Sequence, residues 1–357
     1  MRPFLYDQLG GRVVFGVGTI EQVPAETERL AAGGNILLVA DDMAKGEADW
    51  IEAACQGRVV TRIGEIRPHV PMDDVDRARR IVNENAIDVV VTVGGGSTTG
   101  LGKAIVLEHE MPFLAVPTTY AGSEMTPIYG ITGEEVKRTG RDPKVKPDTV
   151  VYDVELTLAL PMSVTAGSVM NALAHCVEAL YAEERNPIVD VLALEGVAAL
   201  ARGSRLVAGD PEAVDGRSDL LYGAYLAGSS LGSVGMAVHH RVCHVLGGTY
   251  GLAHGDANAV MLPHVVAYNA VAEPDVMDRL ASALGAGDPA AALYDLAREL
   301  GAPASLSGLG VAESDLDAAA AMTVERGGYN PRPVELGWIR NLLGDAYTGG
   351  SPVVKRE

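Results

Sequence analysis

Short apolar, β-branched runs alternate with helix-period stretches through the first 150 or so residues, and then the strands stop. Val13–Gly16, Ile36–Ala40, Val59–Ile63, Ile87–Val93, Phe113–Val116 and Val150–Asp153 predict strands. Runs that are apolar without in-and-out alternation suit strands covered on both faces. Between them Thr19 is expected to cap a turn, Pro24 to open a helix running to Leu30, and Asp73–Asn85 to form a helix with Val75, Ala78, Ile81 and Val82 on one face. Residues 133–147, polar and rich in Gly and Pro, predict a loop. Past Asp153, the Ala- and Leu-rich stretches 163–183, 187–207, 216–232, 235–249, 257–271, 275–284, 289–301 and 313–324 carry helical periodicity, and only the tail Ser351–Glu357 lacks a pattern. The expectation is an α/β domain over 1–153 with a Rossmann-like parallel sheet, followed by an all-α domain over 154–357.

Composition narrows the partners. A length of 357 residues suits two domains, and with aromatics at 5% the core must be built from Ala, Val, Leu and Ile. The net charge of −19 argues against nucleic acid or an anionic membrane, and any anionic substrate must meet a locally positive pocket. No run of eighteen apolar residues occurs, and Met1 to Asp7 meets an acid at once with no apolar h-region. Cys55, Cys176 and Cys243 are odd in number and lack metal or redox spacing, so they read as free thiols and the expected location is cytoplasmic.

Two constellations carry chemistry. The apolar run to Val93 enters Gly94-Gly95-Gly96-Ser97, a strand–turn–helix in which glycines let the backbone approach a phosphate at a helix N-terminus. Thr99 occupies the last-glycine position of a GxGxxG, and Ser97 and Ala104 break a Walker loop, so the turn matches neither motif. Asp41, at a strand end, can accept from an adenosine ribose, which favours NADH over a 2′-phosphorylated cofactor while leaving NADPH open; it can equally cap a helix. Thr118, Thr119 and Ser123 follow another strand end and either line the cofactor groove or make the turn.

Six of the eight histidines fall between Asn171 and His264. Asn171 and His175 share a helix face at i, i+4, as do His240 and His244, and His254 follows ten residues later. Three neutral imidazoles can hold a divalent metal, with Asn171 a weak fourth donor; the same groups can instead bind a carboxylate or stabilise an enolate. His239 points about 100° from His240 on a helix, and His264 follows Pro263, so both are read as structural.

These residues resemble the iron-containing (group III) alcohol dehydrogenase family, of the dehydroquinate synthase-like superfamily. The resemblance runs from Val14-Phe15-Gly16-Val17-Gly18-Thr19 through the GGGS loop, Pro117 to Thr126, Thr139-Gly140-Arg141-Asp142-Pro143 and the histidine window to Asn330-Pro331-Arg332-Pro333. Metal-dependent members carry GGGSxxD, PTTAGTGSE and an Asp-His-His-His ligand set. Here Gly100, the shorter Pro117–Glu124 segment and Asn171 replace these, as in a reductase branch. The resemblance implies NADH-dependent reduction of the C=C bond of maleylacetate, a dicarboxylate, to 3-oxoadipate in aromatic-compound breakdown. It also implies a homodimer. His175, His240 and His254 stand at the family's metal positions and His244 at a further active-site position. Without the aspartate charge no catalytic metal is expected. His244 and His240 are then expected as donor and proton source, with His175, His254 and Asn171 orienting substrate and histidine cations offsetting its carboxylates. The alternative is a metal-dependent NAD alcohol dehydrogenase with His175, His240, His254 and Asn171 as ligands.

Overall fold

The computed structural model describes residues 4–6, 10–133 and 137–355. Met1–Pro3 and Asp7, on which part of the N-terminal expectation rests, and Glu134–Val136 lie outside them. The chain divides into two compact units, one ending at Leu160 and the other made mainly of the residues from Pro161 on.

The first unit is built on six parallel strands, β1 (Arg12–Gly16), β2 (Ile36–Ala40), β3 (Val59–Ile63), β4 (Val89–Gly94), β5 (Phe113–Pro117) and β8 (Thr149–Asp153), in the order β1-β8-β5-β4-β2-β3. Strands β2, β4, β5 and β8 are buried throughout, and alternate residues feed two separate cores. Leu37, Val39, Val90 and Ala115 pack with α3 (Met72–Asn85) and α4 (Gly96–Val106) on one face. Ile36, Leu38, Val89, Val91 and Leu114 pack with α1 (Val23–Leu30) and α2 (Lys45–Ala54) on the other. Each fully buried Val, Leu or Ile among them contributes about 1.5–3 kcal/mol, which is why the most apolar runs occupy the middle of the sheet.

Two local expectations need correction. Thr19 does not cap its turn: the residue before the 3-10 turn is Gly18 in a left-handed conformation, and Thr19 Oγ1 donates instead to the Tyr152 carbonyl at 2.8 Å. The stretch 133–147 is not all loop, because β6 (Ile128–Thr132) and β7 (Lys137–Arg141) pair as an antiparallel hairpin. Glycine at position 140 lies under the Tyr129 ring, where a Cβ would come within 2.5 Å of the hydroxyl.

The second unit is helical: α5 (Met162–Leu180), α6 (Pro187–Gly209), α7 (Val214–Ser233), α8 (Val238–Tyr250), α9 (His254–Asn269), α10 (Pro274–Leu284), α11 (Pro289–Glu299), α12 (Leu316–Glu325) and α13 (Leu336–Thr348). Helix α5 is buried along most of its length. It meets the start of α9 backbone to backbone, since a Cβ on Gly255 would stand 2.8 Å from the Gly167 Cα. That approach brings His254 alongside α5. His264 lies inside α9 and is only 5% exposed.

Candidate active site

In the sheet unit, β2 is followed outward by β3, and the chain then returns to the other side of β2 as β4. This reversal opens a crevice at the carboxyl ends of β2 and β4, where open α/β sheets bind ligands. Asp41 leaves one of those ends and Gly94 the other. The Asp41 carboxylate spans them: Oδ1 accepts from the Ala44 amide at 3.1 Å, and Oδ2 from Thr98 Oγ1 at 2.9 Å and the Gly95 amide at 3.4 Å. Asp41 is therefore both the cap and the buttress of the glycine loop, with lone pairs left over for a hydroxyl. Gly94 has φ +147, and a Cβ there would lie 2.3 Å from Asp41 Oδ2. Gly95 precedes α4, which starts at Gly96, so the amides of Gly96 and Ser97 are first-turn donors without helical acceptors. The Thr118 amide donates to the Gly94 carbonyl at 3.1 Å, and a Cβ on Gly95 would meet Thr119 Cγ2 at 3.2 Å, so this turn adjoins the loop.

Ser123 is held from behind. Lys103, 2% exposed on α4, donates to the carbonyls of Ser123 (2.6 Å), Thr126 (2.8 Å) and Ile128 (2.8 Å). Burial pushes its pKa down to about 7, against the pull of the buried Glu124.

In the helical unit the histidines converge. His175 on α5 stacks on His240 of α8, with ring centroids 4.9 Å apart and planes 18° from parallel. His254 lies 6.3 Å from His240 and 5.9 Å from His244, and His240 and His244 are 6.4 Å apart. Asn171 sits one turn before His175, 8% exposed, with Oδ1 buried and unbonded. His239 meets the His240 ring edge-on, with centroids 5.1 Å apart, and its Nε2 lies 3.7 Å from Cys243 Sγ.

Sequence reasoning missed Glu178, although Asn171, His175 and Glu178 follow an i, i+4, i+7 pattern on one face of α5. Glu178 reaches the N-terminus of α8, where helix amides lack partners. Its Oε1 accepts from the His239 amide at 2.8 Å, and its Oε2 lies 2.7 Å from His240 Nδ1. His240 Nε2 is left buried without a partner. Burial raises the Glu178 pKa, opposed first by the neighbouring His239 ring and then by amides at the α8 N-terminus. Burial first, and neighbouring imidazoles second, hold His175 and His240 well below the ordinary histidine value; burial likewise pushes His239 down to about 3. The expectation of histidine cations at this site is thus corrected for these residues: they are neutral near pH 7, because charge is costly where the rings crowd one another away from water.

Family models match both units: iron-containing alcohol dehydrogenase over residues 10–154, and the C-terminal part of the same family over 165–347. The chain belongs to the iron-containing alcohol dehydrogenase family. It is 44% identical over 350 residues to a maleylacetate reductase of Sphingobium indicum, covering 98% of this chain and 99% of that one. The crystal structure of maleylacetate reductase from Agrobacterium tumefaciens superposes with a TM-score of 0.94 at 42% identity, covering 99% of this chain and all of that one. A 1,3-propanediol oxidoreductase matches with a TM-score of 0.89 at 27% identity, covering 97% of this chain and 100% of that one.

The family name raises the question of iron. Two imidazoles sharing a tetrahedral divalent ion at about 2.1 Å have centroids about 5–6 Å apart, and the 4.9 and 6.3 Å separations bracket that value. Asn171 Oδ1 and His240 Nε2 are both buried and unbonded, as ligand atoms awaiting a partner would be. The shape of the pocket therefore fits an ion. Its charge favours one less, since all four donors are neutral. Glu178, His239 and His240 also bring ligand-type atoms within 4.8 Å of one another. We read that trio as a hydrogen-bonded cluster, because an ion there would have to displace the Glu178 bonds to His240 and to the α8 amide.

Proposed function

We propose that the chain is an NAD(P)H-dependent maleylacetate reductase, yielding 3-oxoadipate, whose helical-unit pocket works by proton donation. The observation that carries the proposal is the buried His240–Glu178 pair. Burial raises Glu178 and lowers His240, both against an ion pair, and we take the pair as a carboxylic acid donating from Oε2 to a neutral imidazole at Nδ1. The proton of the imidazole then sits on Nε2, which makes that atom a donor aimed into the histidine cluster. Whole-chain identity to reductases of this name supports the same conclusion.

NAD(P)H, when bound, supplies a hydride to the carbon β to the substrate ketone. The C=C electron pair moves toward the ketone and leaves an enolate, which must be stabilised and then protonated at the α-carbon. His240 Nε2–H donates to the enolate oxygen, a contribution of about 3–4 kcal/mol when the donor is preorganised. The proton then passes to the α-carbon, directly or through His244, as Glu178 Oε2–H moves to Nδ1. The imidazole carries no full charge at any stage. We assign His175, His254 and Asn171 to orienting the substrate, and Asp41, Gly94, Gly95, Gly96, Ser97, Thr118, Thr119 and Ser123 to the cofactor, with NADH favoured through Asp41. We further propose a cytoplasmic homodimer, testable by sedimentation and cell fractionation.

The experiment compares NADH oxidation by maleylacetate with NAD reduction by a panel of alcohols, using chelator-treated protein. Reduction of maleylacetate without metal is the expected result. The ring spacing favours one second reading, a metal-dependent alcohol dehydrogenase in which His175, His240, His254 and Asn171 hold an ion that polarises the alcohol oxygen. Activity lost to chelator and restored by Fe²⁺ or Zn²⁺ would establish that reading instead.

A further inference from the structure

The proposed substrate carries two carboxylates. The protein as a whole is strongly acidic. A pocket for such a substrate needs positive charge nearby, and among the described residues the buried cations of the helical unit are few. Among the described residues, the buried arginines of this unit are Arg217 and Arg241. Arg217 is fully buried and committed to the fold, donating to the Pro211 carbonyl at 2.8 Å and to Thr165 Oγ1 at 2.9 Å.

Arg241 is different. It follows His240 on α8 and is 9% exposed. At 100° per residue it stands about 60° around the helix from His244, so His244 lies between it and His240. Its described hydrogen bond is from Nη2 to the Tyr329 carbonyl at 3.1 Å, and no carboxylate of the described residues pairs with it within 4.0 Å. A guanidinium has five N–H donors and stays charged, so burial with one bonded carbonyl leaves most of its capacity unused. Burial costs a lone charge several kcal/mol unless a partner arrives.

The loop that holds it is tied to its surroundings by several contacts. Gly328, with φ +100, passes so close that a Cβ would stand 2.9 Å from Arg241 Nη2. Next to Tyr329, Asn330 pairs reciprocally with Asn269 at 3.1 and 2.8 Å. Arg332 then lies between the rings of Tyr268 (4.5 Å) and Trp338 (4.1 Å). The Tyr329 carbonyl thus anchors one nitrogen of a fork whose other donors have no hydrogen-bond acceptor among the described residues.

We propose that Arg241 is the carboxylate receptor of the site and sets its preference for a dicarboxylate over a monocarboxylate. The inference rests on the proposed reductase activity for the identity of the anion, but its test does not need turnover. Calorimetry on the full chain would compare 3-oxoadipate with levulinate and with 3-oxohexanoate, which each lack one of its two carboxylates. A bidentate charged contact is worth about 10- to 100-fold in Kd. The wild type is expected to prefer 3-oxoadipate over at least one monocarboxylate by that factor. Arg241→Met should collapse the preference to within about threefold, and Arg241→Lys should keep part of it. NADH affinity and Tm of Arg241→Lys should match the wild type, which guards against a Met variant that fails to fold. A Lys or Met variant that keeps the full preference would overturn the proposal, even if all affinities fall together. A wild type that binds 3-oxoadipate through Arg241 but does not reduce maleylacetate would sink the reductase assignment and leave Arg241 standing.

Discussion

Replacing Glu178 by Gln tests the proton relay most directly, because the amide keeps the geometry and removes only the transferable proton. The Gln carbonyl can accept from the His239 amide and its NH₂ can donate to His240 Nδ1, as Oε1 and Oε2–H do in the wild type. Stability should fall by less than about 1.5 kcal/mol, since both hydrogen bonds persist. Glu178→Ala instead strands a buried ring nitrogen and a buried amide, at about 1–3 kcal/mol each, so a loss of about 2–6 kcal/mol is expected. Activity should order differently from stability. In Glu178→Gln, His240 Nε2–H still meets the enolate, but no proton can follow onto Nδ1, and loss of a general acid costs about 10²–10⁴-fold in kcat. The pH dependence follows from the direction of the Glu178 shift: its raised pKa keeps the pair doubly protonated below that value, and kcat falls as pH rises through it. Rapid-mixing measurement of NADH oxidation with maleylacetate, with urea unfolding in parallel, reads both quantities. A Gln variant with kcat within about threefold of wild type would refute the relay. A loss of about 10–100-fold in metal affinity, rescued by added metal, would instead mark Glu178 as the outer partner of a metal ligand.

Asn171→Asp should increase bound Zn²⁺ or Fe²⁺ at least about tenfold by restoring an anionic donor, and elemental analysis showing no gain would count against the charge argument. Gly94→Ala places a Cβ 2.3 Å from Asp41 Oδ2 and 2.6 Å from Thr98 Oγ1, so KM for NADH should rise at least about tenfold while KM for the dicarboxylate moves little. Lys103→Met leaves the Ser123, Thr126 and Ile128 carbonyls without their shared donor; urea unfolding should show a loss of about 3–5 kcal/mol. Burial lowers the His264 pKa from 6.5 to about 4, so the unfolded chain takes up a proton there before the folded one. The resulting stability, about 3 kcal/mol, is present above pH 6.5 and lost as pH falls toward 4. Thermal unfolding across that window should be flatter in His264→Gln.

The strands that build the crevice were legible because β2, β4 and β5 are so apolar that only a doubly covered sheet can bury them. The β6–β7 hairpin was not. One of its strands, Lys137–Arg141, is nearly all polar, and its stability comes from pairing that no periodicity announces. Helix α13 was missed because the Pro-rich stretch before it masks its start. For the site, helix spacing brought His175, His240 and His244 forward, and Asp41 was legible as a strand-end acid. Its dual bonding to Ala44 and Thr98 was not, since it depends on which strand lies next to β2. Protonation was furthest out of reach. A histidine-rich window suggests cations, and only burial shows that crowding makes His175 and His240 neutral.

That neutrality changes what Asn171 does. An aspartate at this position would set a negative charge one helical turn from His175 and, through the stacked rings, near His240. It would favour either a bound cation or an imidazolium, and both put His240 Nε2 to other uses: as a lone-pair ligand in the first case, as a charged donor held by the aspartate in the second. With Asn171 the local field is neutral, the second proton of the His240–Glu178 pair stays inside the pair, and Nε2–H remains free for a substrate oxygen. The dianion's charge is then answered at Arg241, the residue after His240 on α8. Asn171→Asp and Arg241→Met should therefore fail in different ways. The first should lose kcat with dicarboxylate affinity retained, and the second should lose affinity with the pH dependence of kcat retained. If both variants lost affinity alone, the division between proton chemistry at His240 and charge recognition at Arg241 would be wrong.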